Sequence, residues 1–146
     1  MASGFSPKLP IRIDPQHGFS LTKTPREAVK QNFKNLILTS PGERIMIPEF
    51  GVGLRRYLFE PQSTVTFRDL RGRIQDQVST YLPFIHIKQI RFFSGGVAET
   101  TTREEIFSLD EFNFSADQNE NMLFVSISYN ITTLNADEIL DIQIKG

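Results

Sequence analysis

Residues 39–61, TSPGERIMIPEFGVGLRRYLFEP, constrain the chain more than any other stretch. Pro41-Gly42 turns the backbone, Pro48 stops any regular element there, and Gly51 and Gly53 permit backbone angles that other residues resist. A short helical face of Leu54, Tyr57 and Leu58 follows, closed by Phe59-Glu60-Pro61. No catalytic template asks for this order. It reads as a rigid corner, one that either holds a fold together by fixing a first helix against a second or presents an edge to a partner.

The elements on either side follow from local signals. Thr24 can cap a helix, Pro25 suits its first turn, and Glu27 can return a bond to Thr24. Val29, Phe33, Leu36 and Ile37 then share one face until Pro41-Gly42 ends the helix near Leu38 or Thr39. A second helix is predicted over 64–82, with a stripe of Phe67, Leu70, Ile74, Val78 and Tyr81. Gly72 inside it either admits a close neighbour or is a tolerated exposed glycine. Pro83 ends it, and a strand is predicted over 85–93. Gly95-Gly96 breaks that strand, and Thr100–Thr102 and Asp117–Glu120 read as loop. Between them, IFSLDEFNF can add a strand through Phe107, Leu109 and Glu111. Residues 122–131 give the clearest strand, with Leu123, Val125, Ile127, Tyr129 and Ile131 on one side. A last strand is expected over 138–144. Residues 1–23 read as an extended arm: Pro7, Pro10 and Pro15 prevent a helix, and Leu9, Ile11 and Ile13 alternate as in a short strand. The arm is either a disordered tail or a clamp for a neighbouring subunit. Helices followed by strands argue a single α+β domain over 24–146, its helices on one face of a small antiparallel or mixed sheet.

Composition removes several function classes. A formal net charge of −1 gives no broad grip on nucleic acid or an anionic membrane. No cysteine is present, so there is no disulfide and no thiolate metal site. No apolar run approaches the roughly 20 residues of a membrane span. The start, MASGFSPKLP, lacks the pattern of a signal peptide, so cytoplasmic assembly is expected. Thirteen Phe against three Tyr and no Trp leave Phe to fill the core or anchor interfaces. Phe5, Phe19, Phe112 and Phe114 are the interface candidates, because their segments lack core periodicity.

Chemistry finds little support. Glycoside hydrolysis needs two carboxylates across a cleft. Glu43, Glu49 and Glu60 are the candidates, yet Glu43 beside Arg44 and Glu60 near Arg55 and Arg56 more simply suggest ion pairs or helix-end contacts. His17 and His86 each lack a second ligand at metal spacing. Gly51-Val52-Gly53 lacks the third glycine and the preceding strand of a dinucleotide site. No catalytic residue, metal or cofactor is expected.

The corner also resembles the signature of the small baseplate-wedge proteins of contractile-tailed phages, with counterparts in contractile bacteriocins and type VI secretion baseplates. Thr39 with Gly42-Glu43-Arg44, then Pro48-Glu49-Phe50-Gly51, then Leu58-Phe59-Glu60 match its pattern in order. The likeness runs from about Thr24 to the C-terminus, leaving out the first twenty or so residues and the stretch around 95–120. It implies a structural subunit of a tail baseplate, assembled in a host cytoplasm. The implied partners are larger wedge proteins and the tail sheath subunit, with tube or tube-initiator proteins as further candidates. It also implies likeness to the C-terminal domain of the sheath subunit, so that a sheet edge at 122–131 or 138–144 would accept a sheath strand. Where that family often carries Glu-Pro-Arg at a helix-to-strand corner, this chain has Leu82-Pro83-Phe84. Both charges are gone, and Leu82 and Phe84 either plug an apolar pocket on a partner or join the domain's own core.

Overall fold

The computed structural model describes residues 4–15, 18–60, 63–94, 97–98 and 122–145. The elements are β1 (Ile13–Asp14), β2 (Gly18–Phe19), α1 (Pro25–Leu38), a 3-10 turn (Leu54–Leu58), α2 (Thr64–Tyr81), β3 (Ile85–Ser94), β4 (Val97–Ala98), β5 (Met122–Ile131) and β6 (Ala136–Lys145). Among the described residues the main sheet runs β4-β3-β5-β6 and every pairing in it is antiparallel. Both helices cover one face, which is the α+β arrangement expected. The strand expected around Phe107, Leu109 and Glu111, together with Phe112, Phe114, His17 and Pro61, lies outside the described residues.

Helix α1 starts as its sequence dictates, with one shift. The Thr24 hydroxyl accepts from the Glu27 N–H at 3.2 Å, but the Glu27 carboxylate reaches the Lys23 N–H at 3.1 Å rather than Thr24. Phe33, Leu36 and Ile37 are buried, and Phe33 meets Tyr129 of β5 edge to face at 5.0 Å. Helix α2 buries Phe67, Leu70, Ile74 and Val78, and Phe67 stacks on Phe92 of β3 at 5.3 Å. Nothing lies within 4 Å of a Cβ placed on Gly72, so this glycine marks no close helix approach.

The sheet reads out the alternation of its strands. On β5, Leu123, Val125, Ile127, Tyr129 and Ile131 are all buried, and Leu140, Ile142 and Ile144 of β6 lie beside them. β3 changes parity, facing inward with Ile85 and Ile87 and then with Ile90 and Phe92. A bulge between Ile87 and Gln89 absorbs the change by leaving Lys88 without a partner in the register. Lys88 then crosses the outer face to Asp137 of β6 at 2.8 Å, joined there by the Asn130 amide of β5 at 2.6 Å. These two donors hold the Asp137 carboxyl below its ordinary range.

The segment expected as an extended arm doubles back on itself. β1 and β2 pair with Ile13 opposite Phe19, and an isolated bridge joins Pro7 to Leu21. Of the expected Leu9–Ile13 alternation only Ile13 is in a strand. The Gln31 side chain of α1 moors the hairpin, accepting from Leu9 N–H and donating to Pro7 C=O, both at 2.9 Å.

Tyr129 is fully buried, and its hydroxyl has no hydrogen-bond partner among the described residues. Burial, then the charge of Glu138, pushes its pKa up from 10.0 to about 12, with Arg26 pulling weakly the other way. Because the folded state holds this proton more tightly than the unfolded chain, its contribution is complete below about pH 10 and is lost as pH rises toward 12. At about 1.4 kcal/mol per pKa unit the loss is on the order of 2–3 kcal/mol. Replacing Tyr129 with Phe is expected to change stability at pH 7 by less than about 1 kcal/mol, since no bond is broken. The same change should flatten the fall in stability between pH 10 and pH 12, read by urea melts across that range.

Candidate functional site

The corner at 39–60 is built from backbone groups that two helices leave open or recruit. A helix ends with carbonyls that lack intrahelical donors. Here the Thr39 N–H and hydroxyl both donate to Asn35 C=O, the Val52 N–H donates to Leu36 C=O at 3.1 Å, and the Gly53 N–H donates to Thr39 C=O at 2.9 Å. From the other side, the Gln77 amide of α2 accepts from the Gly51 N–H at 2.8 Å and donates to Glu49 C=O at 3.1 Å. These bonds fasten the corner to α1 by its own backbone, and the Gln77 side chain ties that same backbone to α2.

Gly51 is required by this arrangement. Its φ is +110°, and an added Cβ would lie 2.2 Å from Thr39 O. Gly42, at φ +92°, closes the preceding turn by donating to Pro48 C=O at 2.8 Å. The Glu43 carboxylate accepts from the Ser40 N–H at 3.0 Å. The Arg44 guanidinium sits 3.9 Å above the Phe50 ring, and Phe50 meets Tyr81 edge to face at 4.9 Å. The expected helical face is a 3-10 turn with Leu54, Tyr57 and Leu58 buried. The Tyr57 hydroxyl donates to Asp69 of α2 at 3.1 Å. Burial, aided by that carboxylate and opposed by Arg73, raises the Tyr57 pKa.

The carboxylates do not converge into a reaction centre. Glu43 is engaged by its own turn, and the side chains of Glu49 and Glu60 are exposed. Of the ion pairs or helix-end contacts expected of Glu43 and Glu60, the ion pairs with Arg44, Arg55 and Arg56 do not form among the described residues, whereas Glu43 takes the Ser40 N–H just past the end of α1 and Arg44 goes to an aromatic ring. No group of three metal-ligating side chains occurs among the described residues, and His86 is exposed on β3. No helix of the described chain is long and apolar enough to cross a membrane.

The surface carries features of another kind. Leu82 and Phe84 are half-buried against the core while Pro83 between them is exposed. The Phe84 carbonyl accepts from the Thr132 N–H at 3.0 Å, which ties this corner to the β5–β6 turn. Phe5 and Phe19 are exposed by 64% and 53%, as expected of residues outside the core. The corner's tip holds Ile45 and Met46, exposed by 95% and 92%, and Phe59 stands out at 77%. Sequence reading passed over Ile45 and Met46, although three consecutive apolar residues between Arg44 and Pro48 are visible there. It also passed over Gln77, for which a lone polar residue beside a helix's apolar stripe is no signal.

The edges of the sheet are unequal. β5 lies between β3 and β6, so its backbone groups are taken on both sides and it cannot accept an added strand; the expectation that 122–131 might supply an edge is corrected on this point. β6 is an edge strand among the described residues. Among the described residues, β4 covers the second side of β3 at Phe93–Ser94, and β3 carries the Lys88 bulge farther back.

Replacing Gly51 with Ala is expected to destabilise the fold by more than about 2 kcal/mol, because positive φ and a backbone clash act together. Replacing the exposed Gly18, also at positive φ but with open space around it, should have an effect within about 1 kcal/mol. Equal melting curves for the two variants would contradict the assignment of the corner as the fastening point.

The baseplate wedge protein gp25 family matches residues 23–136. Solved structures share the fold. A chain in the cryo-EM structure of the anti-feeding prophage (AFP) baseplate superposes with a TM-score of 0.61 at 24% identity, over 86% of this chain and 83% of that one. A crystal structure of a candidate tail lysozyme from Geobacter sulfurreducens gives a TM-score of 0.58 at 17% identity, over 86% of this chain and 95% of that one. At these identities the likeness is one of fold. No curated protein matches the sequence.

Proposed function

We propose, since this chain belongs to the baseplate wedge protein gp25 family, that it joins larger wedge proteins in a contractile tail baseplate and seeds the first sheath ring by accepting a sheath strand. Assembly takes place in the host cytoplasm. The same logic would serve a type VI secretion or bacteriocin baseplate, and neighbouring genes for capsid or for a secretion ATPase separate the settings. The observation that carries the reading is the outer edge of β6. Over Asp137–Ile144 no other strand pairs with it among the described residues, and no proline interrupts it. Strand addition needs free backbone donors and acceptors together with places for alternate side chains. Leu140, Ile142 and Ile144 would extend their buried row onto an incoming strand. This edge begins where the family match ends, so its choice as acceptor rests on the hydrogen bonding of the sheet. The β3 edge is the weaker acceptor, because a bulge and a lysine are devices that discourage pairing.

A lytic role is not part of this reading. Glu43 is held by Ser40, and Glu49 and Glu60 stand in solvent with no cleft assigned between them. Turnover of purified cell wall by the wild-type protein, lost when Glu49 and Glu60 are replaced, would reverse this.

Two outcomes are expected. Adding sheath subunit should slow amide exchange along β6 and leave β5, already paired on both sides, unchanged; no new protection in β6 would remove the strand-addition step. Leu82, Pro83 and Phe84 are proposed as part of the contact with the larger wedge proteins, where an apolar plug replaces the charged corner of relatives. Because Phe84 is half-buried against the core, Phe84→Asp should lower the melting temperature, yet at a temperature where the variant is still folded it should weaken that binding tenfold or more. Global unfolding of the variant would assign Phe84 to the core alone.

A further inference from the structure

The hairpin at residues 4–22 precedes the family-matched segment, so family membership gives it no role. Its construction is unusual for a tail. Backbone bonds join Phe5 to Thr22, Lys8 to Ser20 and Ser20 to Arg12, Thr22 is buried against Ser6, and Gln31 moors the whole to α1. A two-stranded hairpin is marginal in water unless its apolar face is covered. Here that face is bare: Ile13 is 83% exposed, Phe19 directly opposite it 53%, and Ile11, two residues along, 63%. Ile13 and Phe19 are opposed and so share a face, and the exposed Ile11 adjoins them in the chain. The charge of this part of the chain is predominantly positive, with Asp14 following Ile13 on β1 as the hairpin's one carboxylate. Residues 1–34 hold six Lys or Arg and two Asp or Glu, a formal +4 in a chain of net −1. Lys8, Arg12, Lys23, Lys30 and Lys34 are all exposed, while the Glu27 carboxylate is engaged by the Lys23 N–H.

We infer that this hairpin is a second docking element, whose Ile11–Ile13–Phe19 patch seats on an apolar strip bordered by carboxylates on a larger baseplate protein. The inference rests on the baseplate reading above, and it concerns a surface separate from the β6 edge. Charge complementarity selects the occupant. A nucleic acid would match the cations but not an aliphatic centre. A second copy of this chain offers the exposed Ile139 between Asp137 and Asp141, but Lys88 already neutralises Asp137, which leaves Asp141, bonded to the neutral Ser126 hydroxyl at 2.7 Å, as a thin acidic border. A protein with a fuller acidic border matches the cations of the hairpin better than this chain does.

The test is a titration of the full chain against each larger wedge protein encoded beside it, at two salt concentrations, with three forms of the chain. These are wild type, Ile13→Asp with Phe19→Ser, and Lys8→Glu with Arg12→Glu. The first pair should weaken binding to one wedge protein tenfold or more while the melting curve is unchanged, because the side chains removed are exposed. The charge reversal keeps the apolar patch and should weaken binding several-fold, with less salt dependence than wild type. Wild-type affinity in both variants would overturn the inference and leave the baseplate reading standing. If the wild type binds none of the wedge proteins, the baseplate reading itself fails and this inference with it. Self-association of the wild type that Ile13→Asp abolishes would give the patch to a second copy and overturn the proposal as well.

Discussion

The fold depends on a few backbone N–H groups in the corner after α1. Those of Val52 and Gly53 terminate α1 by taking the carbonyls of Leu36 and Thr39, and that of Gly51 is taken by Gln77 from α2. A buried donor or acceptor left without a partner costs about 1–3 kcal/mol, so breaking such a set would remove a large part of a small domain's stability. Beyond these bonds, the Tyr57–Asp69 hydrogen bond and side-chain packing fix the spacing of the two helices. Once spaced, they present Phe33 and Phe67 to opposite ends of the same sheet face, on Tyr129 and Phe92. Gly51 is where this scheme admits no side chain, and it lies within the stretch by which the sequence resembles its family.

Much of this was legible in the sequence because it is local. Thr24-Pro25 announces α1, and strict alternation announces β5, with the correct residues facing inward. The α+β class follows from their order. What was hidden is non-local. The Glu27 carboxylate takes the N–H of Lys23, one residue before the Thr24 partner that the capping pattern suggests. β5 was read as a candidate edge because alternation reports one buried face and says nothing of lateral neighbours. The parity change in β3, from Ile85 and Ile87 to Ile90 and Phe92, is visible in the letters, but only a register with β5 turns it into a bulge. Gln77 carries no pattern, since its role is defined by two backbone groups more than twenty residues away in sequence.

The interaction surfaces divide in the same way. The signature corner commits Gly51, Val52, Gly53, Leu54, Tyr57 and Leu58 to the interior, while its tip from Gly42 to Glu49 stands in solvent, with Ile45 and Met46 among the exposed residues. The regions proposed for partners are the outer backbone of β6, the Leu82–Phe84 corner and the hairpin before α1. They differ in what they can recognise. A strand edge reads backbone and so accepts many sequences in one geometry, whereas a patch with a charged border reads side chains and accepts few.

The sheet also joins two pairings of very different reach. β5 and β6 meet across a turn of four residues, Thr132–Asn135, whereas twenty-seven residues separate the end of β3 from the start of β5. Pairing of β5 with β6 is therefore local, whereas the β3–β5 register joins residues far apart in sequence. Local contacts form at low entropic cost, so the β5–β6 hairpin is the part of the sheet suited to forming first, with β3 added to its open side.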